Sequence, residues 1–300
     1  MTHVPVMTAE VLRYLRPERG GLFVDCTVGL GGHARALLEA GATRLIGLDR
    51  DLDALTRARD ALAPFGDRVR LVHADYRAID EVLDRERVDL VDGALADLGV
   101  SSLQFDAPGR GFSFQRDEPL DMRMDRTGGD TAADLVARST ERELADAIFQ
   151  YGEERFSRRI ARAIVDARAR TPVQTTGQLA AIVRRAIHRP ARSRRGAMRI
   201  DPATRTFQAL RIWVNRELEG LDRFLDAASR RLRAGARLVV ITFHSLEDRI
   251  VKHTLRALEH REDALVKVLT KKPVTPGDDE VDRNARSRSA KLRAAERVAS

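Results

Sequence analysis

Short apolar runs alternate with amphipathic stretches over the first hundred residues of the chain. Buried parallel strands are continuous apolar runs, and the helices that connect them have one apolar face, so this alternation predicts βα units. The predicted strands cover residues 22–26, 44–49, 68–73 and 90–98, and the predicted helices cover residues 33–40, 53–63 and 76–85. The pattern therefore indicates an α/β fold with a mostly parallel sheet.

The pattern becomes helical further along the chain. Residues 101–129 are rich in Gly, Pro, Asp and Ser, which predicts a long loop. Apolar residues then recur at every fourth position, as at Phe156, Ile160 and Ile164, which indicates helices with one buried face. A long helix, a β-branched strand and the two strands of an antiparallel edge hairpin are predicted at 204–231, 237–243, 265–274 and 289–298. The sheet is thus expected to be interrupted by a helical segment and then resumed.

A Gly-rich turn lies between the first two predicted strands, in FVDCTVGLGGHARALLEAG followed by RLIGLDRD. Glycines allow a tight turn and a close approach of ligand, and the helix that follows offers unpaired N–H groups. Asp49 follows Gly29 by 20 residues, at a strand end where a carboxylate can accept hydrogen bonds from ribose hydroxyls. The motif predicts an adenosine-containing ligand. Its spacing permits either a dinucleotide or an S-adenosyl compound.

Polar residues also end the later strands, as a sheet that binds ligand at its carboxyl edge requires. Tyr76 is a candidate for stacking on adenine, with ordinary packing as the alternative. Asp97 is a candidate site carboxylate, with capping of the next turn as the alternative. His244 is a candidate base or substrate contact, with a neutral structural histidine as the alternative. Ser245 and Asp248 have the spacing of a capping box at the start of a helix.

The distribution of charge adds a candidate partner. The net charge is +8, and residues 151–216 hold 16 arginines, no lysine and only four acidic residues. Codon bias explains the preference for Arg over Lys but not this clustering, so the cluster suggests a polyanion such as nucleic acid. The single cysteine, Cys26, excludes an internal disulfide and favours a reducing compartment. No run of 18 apolar residues occurs, so we expect a soluble cytoplasmic protein without a membrane span.

Several long sequence blocks carry a resemblance to a known family. GLGGHARALLEAG, DLGVSSLQFD, RGFSF, PLDMRMD, YGEERFSRRIARAI, PATRTFQALRIWVN and ITFHSLEDRIVK, among blocks that span residues 3–297, resemble the bacterial 16S ribosomal RNA (cytosine-N4)-methyltransferase family, RsmH/MraW. The resemblance implies a class I S-adenosylmethionine-dependent methyltransferase fold, Rossmann-like, with an inserted helical domain. The methyltransferase domain is expected at 1–109 and 212–300, and the inserted Arg-rich domain at 110–211.

The same resemblance implies an activity and its partners. We expect S-adenosyl-L-methionine as cofactor and N4-methylation of a cytidine in 16S ribosomal RNA, at the decoding region of the small (30S) ribosomal subunit. The oligomeric state stays open, with a homodimer as one alternative. No metal is expected, since the seven histidines show no metal-ligand spacing.

Site residues carry over from the family position by position. The implied cofactor contacts are Gly31, Gly32, His33, Asp49, Tyr76, Asp97 and Gln104. Relatives often have Phe where this chain has Tyr76, and the ring is retained. The candidate catalytic groups are Asp97, Ser101 and His244, with the general base not identified. The candidate RNA contacts are Arg110, Phe112, Phe114, Arg184, Arg185, Arg192, Arg194, Arg195 and Arg199, and loop packing is the alternative for the two phenylalanines.

Three other classes remain as alternatives at this point. An NAD-dependent oxidoreductase would share the turn and Asp49 but gives no reason for the basic helical segment. A DNA or small-molecule methyltransferase would differ only in its acceptor. A non-catalytic assembly factor would bind RNA without turnover. Hydrolase, NTPase and thiol chemistry lose support, because the chain has no nucleophile elbow, phosphate-binding lysine loop or cysteine pair.

Overall fold

The computed structural model describes residues 5–187 and 201–299. The chain forms two compact units, which we call the sheet unit (Met1–Ser101 with Leu218–Ser300) and the helical unit (Ser102–Glu217). The boundaries lie at 101/102 and 217/218, compared with 109/110 and 211/212 in the sequence-based division. Within the described residues, no helix has both the length and the apolar character needed to cross a membrane.

The sheet unit contains a seven-stranded sheet in the order β3-β2-β1-β4-β5-β7-β6. The strands are β1 Leu22–Asp25, β2 Arg44–Asp49, β3 Val69–His73, β4 Val91–Asp97, β5 Leu232–Thr242, β6 Val266–Val268 and β7 Lys291–Arg297. The pairs among β1 to β5 are parallel, whereas β7 runs antiparallel to both β5 and β6. This order and the reversed β7 are those of the class I methyltransferase fold, as the resemblance implied.

Helices cover both faces of this sheet. They are α1 Thr8–Leu15, α2 Gly32–Glu39, α3 Leu52–Leu62, α4 Ile79–Arg85, α11 Leu221–Arg230, α12 Ser245–Glu259 and α13 Asp278–Arg283. Successive strand residues point to opposite faces. Phe23 therefore packs in the core with α1, α2 and α3, whereas Val24 packs in the core with α4, α11 and α12. Burial on both faces explains why these strands are continuous apolar runs.

The helical unit contains α5 Ser102–Asp106, α6 Ala132–Arg138, α7 Glu141–Gly152, α8 Ser157–Arg168, α9 Thr176–Ala186 and α10 Ala203–Asn215. Capping boxes begin three of these helices, at Thr131 with Asp134, Thr140 with Glu143 and Thr175 with Gln178. Each box satisfies backbone N–H groups that a helix start leaves unpaired.

The expected loop at 101–129 is ordered and begins with α5. The Asn215 side chain of α10 holds the part of this segment around Met122. Its amide nitrogen donates to the Met122 carbonyl (2.7 Å), and its amide oxygen accepts from the Met124 N–H (2.8 Å). A single side chain therefore satisfies two backbone groups of a segment that lacks regular structure.

Two sequence predictions in the second half of the chain are wrong. The single helix over 204–231 is instead α10 and α11, because Arg216 and Gly220 adopt left-handed conformations (φ 49° and 70°) between them. The loop between the strands of the edge hairpin contains α13. The strand predicted at 237–243 is part of β5, which begins earlier, at Leu232. The pattern missed this beginning because residues 233–235 are exposed.

Candidate functional site

Three acidic residues end neighbouring parallel strands of the sheet unit. Asp25 ends β1, Asp49 ends β2 and Asp97 ends β4, and β1 pairs with both of the other strands. The carboxyl ends of parallel strands meet at one edge of the sheet, which is where open α/β sheets bind ligands. We call these three residues, together with His33, the edge cluster.

The Gly-rich turn joins β1 to α2 beside this edge. Gly31 has φ 83° and precedes α2, and a Cβ there would lie 3.1 Å from the Leu62 side chain. At Gly32 a Cβ would lie 2.6 Å from the Pro5 ring, closer than real Cβ contacts. No side chain caps α2 and no acidic residue occupies its first turn. The turn is therefore tightly packed from outside, and its helix start suits a ligand that accepts hydrogen bonds.

The N-terminal segment is held over the turn by the other end of the chain. The Met7 N–H donates to the Glu280 carboxylate of α13 at 2.6 Å. Met7 is fully buried and Pro5 contacts the position of Gly32. Residues far apart in sequence thus shape one wall of the turn.

Asp49 performs a structural role that the sequence did not indicate. Its Oδ2 accepts from the Gly29 N–H at 2.8 Å, and its Oδ1 accepts from the Asp51 N–H at 2.9 Å. Burial raises the pKa of Asp49, while these two backbone bonds oppose the rise. Each carboxylate oxygen has a further lone pair, so Asp49 can hold the turn and still accept hydrogen bonds from a ribose.

The rest of the edge cluster is linked through Thr27. The Thr27 N–H donates to Asp25 Oδ1 (3.2 Å), and the Asp97 N–H donates to Thr27 Oγ1 (2.7 Å). His33 Nε2 lies 3.5 Å from Asp97 Oδ2, at the outer limit of a hydrogen bond. Asp25 Oδ2 and Asp97 Oδ1 are buried without a hydrogen-bond partner among the described residues. Such unsatisfied atoms are typical of a site that a polar ligand completes.

Burial and mutual charge shift the pKa values within the cluster. Desolvation raises the pKa of Asp25 to about 7, against the opposing charge of His33. Burial by itself lowers the pKa of His33, but Asp97, through a hydrogen bond and its charge, and the charges of Asp25 and Glu280 raise it overall. The cluster is therefore acidic and favours a cationic ligand group.

Asp25 is a candidate site residue that the sequence analysis missed. It was taken as part of the strand 22–26 and was not selected as a candidate. The signal was present, since Asp25 has the same strand-end position as Asp49 and Asp97.

Tyr76 follows β3 in a short 3₁₀ turn and is half-buried. Its ring meets that of Phe224 edge-on, with centroids 4.7 Å apart, and the Arg77 guanidinium lies 5.9 Å from its centroid. Burial raises the pKa of the Tyr76 hydroxyl. One side of the Tyr76 ring therefore packs against Phe224, as the packing alternative expects. The ring is still partly exposed, and its contact with adenine stays a proposal.

His244 is the N-cap residue of α12, a role that the sequence analysis gave to Ser245. Its Nδ1 accepts from the Glu247 N–H at 3.5 Å, and its Nε2 lies 3.1 Å from Glu247 Oε1. Asp248 does not complete a capping box but pairs with Arg293 at 2.6 Å. His244 Nδ1 accepts the cap hydrogen bond, whereas Nε2 is buried without a hydrogen-bond partner among the described residues, so the structural role is observed and a base or substrate contact remains a proposal.

The remaining candidates near residue 100 differ in burial. Ser101 is half-buried at the end of the first segment of the sheet unit, and Gln104 is buried on α5 of the helical unit. Arg110 as an RNA contact stays a prediction, and the structure gives its side chain a role within the helical unit. Arg110 is 2% exposed and donates to the carbonyls of Arg123 and Met124 (3.2 and 3.1 Å).

The aromatic candidates are also packed within the helical unit. Phe112 is 5% exposed, as the loop-packing alternative expects, and its contact with an RNA base stays a prediction. Phe114 packs edge-on against Phe207 at 4.8 Å, with the Arg184 guanidinium 5.6 Å from its centroid. Arg184 also pairs with Asp201 at 2.9 Å. Arg185 is exposed, whereas the other candidates lie outside the described residues, namely Arg192, Arg194, Arg195 and Arg199.

The sequence comparisons place the chain in one family. A sequence model described as the MraW methylase family matches residues 1–298. Ribosomal RNA small subunit methyltransferase H of Geotalea uraniireducens is 50% identical over 99% of this chain and 98% of its own length. The protein of the same name from Sorangium cellulosum is 54% identical over 99% of this chain and 91% of its own length. A solved rRNA methylase from Streptococcus thermophilus aligns with TM-score 0.43 and 11% identity, over 100% and 99% of the two chains.

Proposed function

Because the chain belongs to the MraW methylase family, we propose that it transfers a methyl group from S-adenosylmethionine to the ribosomal RNA of the small subunit. The acceptor is N4 of a cytidine in 16S ribosomal RNA at the decoding region, and the substrate is the 30S particle in the cytoplasm. The observation that carries the proposal is about 50% identity to curated small-subunit rRNA methyltransferases over 99% of the chain. The edge cluster supplies a site for the cofactor.

The residues present fit S-adenosylmethionine. The acidic cluster suits a ligand with cationic groups, and the unsatisfied Asp25 Oδ2 calls for a polar partner. When bound, the cofactor supplies an activated methyl group on its sulfonium sulfur. The residues that would hold it are Gly31, Gly32 and His33 at the turn, Asp49 at the ribose, Tyr76 at the adenine and Asp97 at the remainder, and Gln104 is a cofactor contact by the resemblance alone.

Asp97 is the side chain best placed to assist the acceptor nitrogen. The N4 lone pair of cytosine is conjugated with the ring, so an oxygen that accepts a hydrogen bond from the amino group favours a reactive, pyramidal nitrogen. Asp97 Oδ1 has no partner among the described residues and lies at the carboxyl edge of the sheet. His244 Nδ1 is engaged in the cap of α12. Asp97 is therefore our candidate for holding this proton, and Ser101 remains a secondary one.

The test uses labelled S-adenosylmethionine and small ribosomal subunits from a strain that lacks the activity. Free ribosomal RNA and duplex DNA serve as parallel acceptors, and nucleoside mass spectrometry identifies the product. N4-methylcytidine formed on the particle supports the proposal. Transfer only to DNA, or RNA binding without any transfer, contradicts it and favours a DNA methyltransferase or an assembly factor.

A matched pair of variants locates the chemistry. Asp97→Asn removes the carboxylate at the carboxyl end of β4, and we expect at least about a 100-fold loss of turnover. Asp92→Asn makes the same change at the other end of this strand, where Asp92 accepts from the Leu22 N–H at 2.8 Å. An amide oxygen can accept that bond, so this control retains activity. Equal turnover in both variants would remove Asp97 from the mechanism.

A further inference from the structure

An exposed aromatic ring lies at the end of α7 in the helical unit. Phe149 is 60% exposed, the highest value among the large hydrophobic residues that the structure describes as exposed. The buried positions of α7 are those of Leu144, Ala145, Ala147, Ile148 and Gly152. Phe149 lies off this buried face, so the packing of α7 does not explain it.

Arginines without carboxylate partners surround this ring. Most exposed arginines of the helical unit have an acidic partner, as in Arg138–Asp130, Arg162–Glu141, Arg184–Asp201 and Arg205–Glu154. Arg155, Arg158 and Arg159 are exposed, and the described residues provide no carboxylate oxygen within 4.0 Å of them. Residues 188–200, outside the described part, contain no acidic residue at all.

Phe149 and these arginines line one groove between the end of α7 and the start of α8. The chain reverses at Glu153, which has φ 50°, and α8 begins four residues later without an acidic residue in its first turn. The groove has a volume of about 450 Å³ and also includes Asp146, whose carboxylate lies 3.7 Å from Arg142. The groove is therefore basic, aromatic and large enough for a nucleotide.

We propose that this groove binds an unpaired nucleotide segment of the RNA substrate, with a base stacked on Phe149 and the flanking phosphates contacted by Arg155, Arg158 and Arg159. The inference rests on the proposed function, because it assigns part of the RNA contact to this surface. Single-stranded RNA is recognised by this combination, since every base has a π-face and the backbone is anionic. Double-stranded RNA buries its bases and cannot stack on an isolated ring.

The experiment measures binding of a fluorescein-labelled, cytidine-rich single-stranded 12-mer RNA to the full-length protein over a range of salt concentrations. The double variant Arg158→Ala/Arg159→Ala should bind at least about tenfold more weakly at low salt. A plot of the logarithm of the binding constant against the logarithm of the salt concentration should become less steep by about 1.4, which is about 0.7 for each lost phosphate contact. Phe149→Ala should weaken binding about fivefold or more, and Phe149→Trp should retain it.

Matched controls separate this groove from general charge and apolar surface. Arg138→Ala/Arg162→Ala removes two arginines of the same unit that already have acidic partners, and Leu52→Ala removes an exposed apolar side chain (47%) of the sheet unit. Both controls should bind the RNA within twofold of the unaltered chain. Circular dichroism checks that every variant is folded. We expect each variant to fold, because the altered side chains are exposed.

The outcomes distinguish this inference from the proposed function, because methyl transfer to small subunits is measured in parallel. If the unaltered chain methylates the particle but groove variants bind RNA normally, the inference is overturned and the function stands. If groove variants lose RNA binding although the unaltered chain transfers no methyl group, the function fails and the groove stands. A change in oligomeric mass without a change in RNA binding would make the groove an interface between copies, which also overturns the inference.

Discussion

The burial of Asp25 predicts a pH-dependent stability of the ligand-free protein. Asp25 is 1% exposed, and desolvation raises the pKa of its carboxyl from 3.8 to about 7. The folded state therefore retains a proton at pH values where the unfolded chain has lost it. This contribution to the free energy of unfolding is fully present below about pH 4 and is lost as the pH rises through about 7. The pKa difference of about three units corresponds to about 4 kcal/mol.

The variant Asp25→Asn removes this titration while its amide oxygen can still accept from the Thr27 N–H. We expect the variant to be about 2 kcal/mol more stable than the unaltered chain at pH 5 and about 4 kcal/mol more stable at pH 8, because the proton is lost from the unfolded chain already above about pH 4. The raised pKa values of His33 and Asp49 act in the same direction. The charge of Asp25 contributes to the raised pKa of His33, so the difference between the two proteins measures Asp25 together with its coupling to His33.

Denaturant titrations at pH 5, 6, 7 and 8 and constant ionic strength measure this difference in the free energy of unfolding. Hydrogen exchange of the β1 and β4 amides locates it within the sheet unit. Asp92→Asn is the control, because its carboxylate is partly exposed and pairs with Arg233. An unchanged pH profile in Asp25→Asn, or a stability gain at pH 8 below about 1 kcal/mol, would refute the reasoning.

Three further predictions concern the turn, the N-cap of α12 and the long loop. Gly32→Ala should weaken S-adenosylmethionine binding at least tenfold by calorimetry, because a Cβ there lies 2.6 Å from a proline ring, whereas Gly128→Ala, in open space, should not. His244→Asn, which retains a capping acceptor, should keep methyl transfer within about threefold, and a 100-fold loss would restore His244 as a base. Asn215→Ala should lower the free energy of unfolding of the helical unit by about 2 kcal/mol, because two backbone groups lose their partner. The fluorescence of the single tryptophan, Trp213, reports the unfolding transition, and an unchanged transition would contradict the role of Asn215.

The sheet elements of the first hundred residues were predictable because their signal is local. The predicted strand 44–49 is β2 as observed, and the other predicted strands differ from the observed ones by one residue at either end. The apolar runs of β1, β2 and β4 are buried on both faces, so their pattern depends on a few consecutive residues. The helix predicted over 204–231 failed because its apolar period continues through a reversal at Arg216. That reversal is accompanied by a buried ion pair between Arg211 and Glu217 (2.8 Å).

The candidate site was only partly accessible to the same reasoning. Asp49 and Asp97 were selected because strand-end carboxylates meet at one edge of a parallel sheet. The second role of Asp49, in holding the Gly29 amide, requires a contact between residues 20 positions apart. Phe149 and its neighbouring arginines were not selected as site residues, because a single aromatic residue in a helical pattern predicts a core position.

Residue type and spacing were enough to predict the strands and helices of the first hundred residues, the Gly-rich turn, and Asp49 and Asp97 at the sheet edge. These features depend on a short window of the chain. The folded arrangement shows which polar atoms are buried without a partner among the described residues, and it buries Arg110 and Phe112 while leaving Phe149 exposed. Burial, pKa and available surface arise from residues that are distant in sequence and close in space, as with Glu280 and Met7.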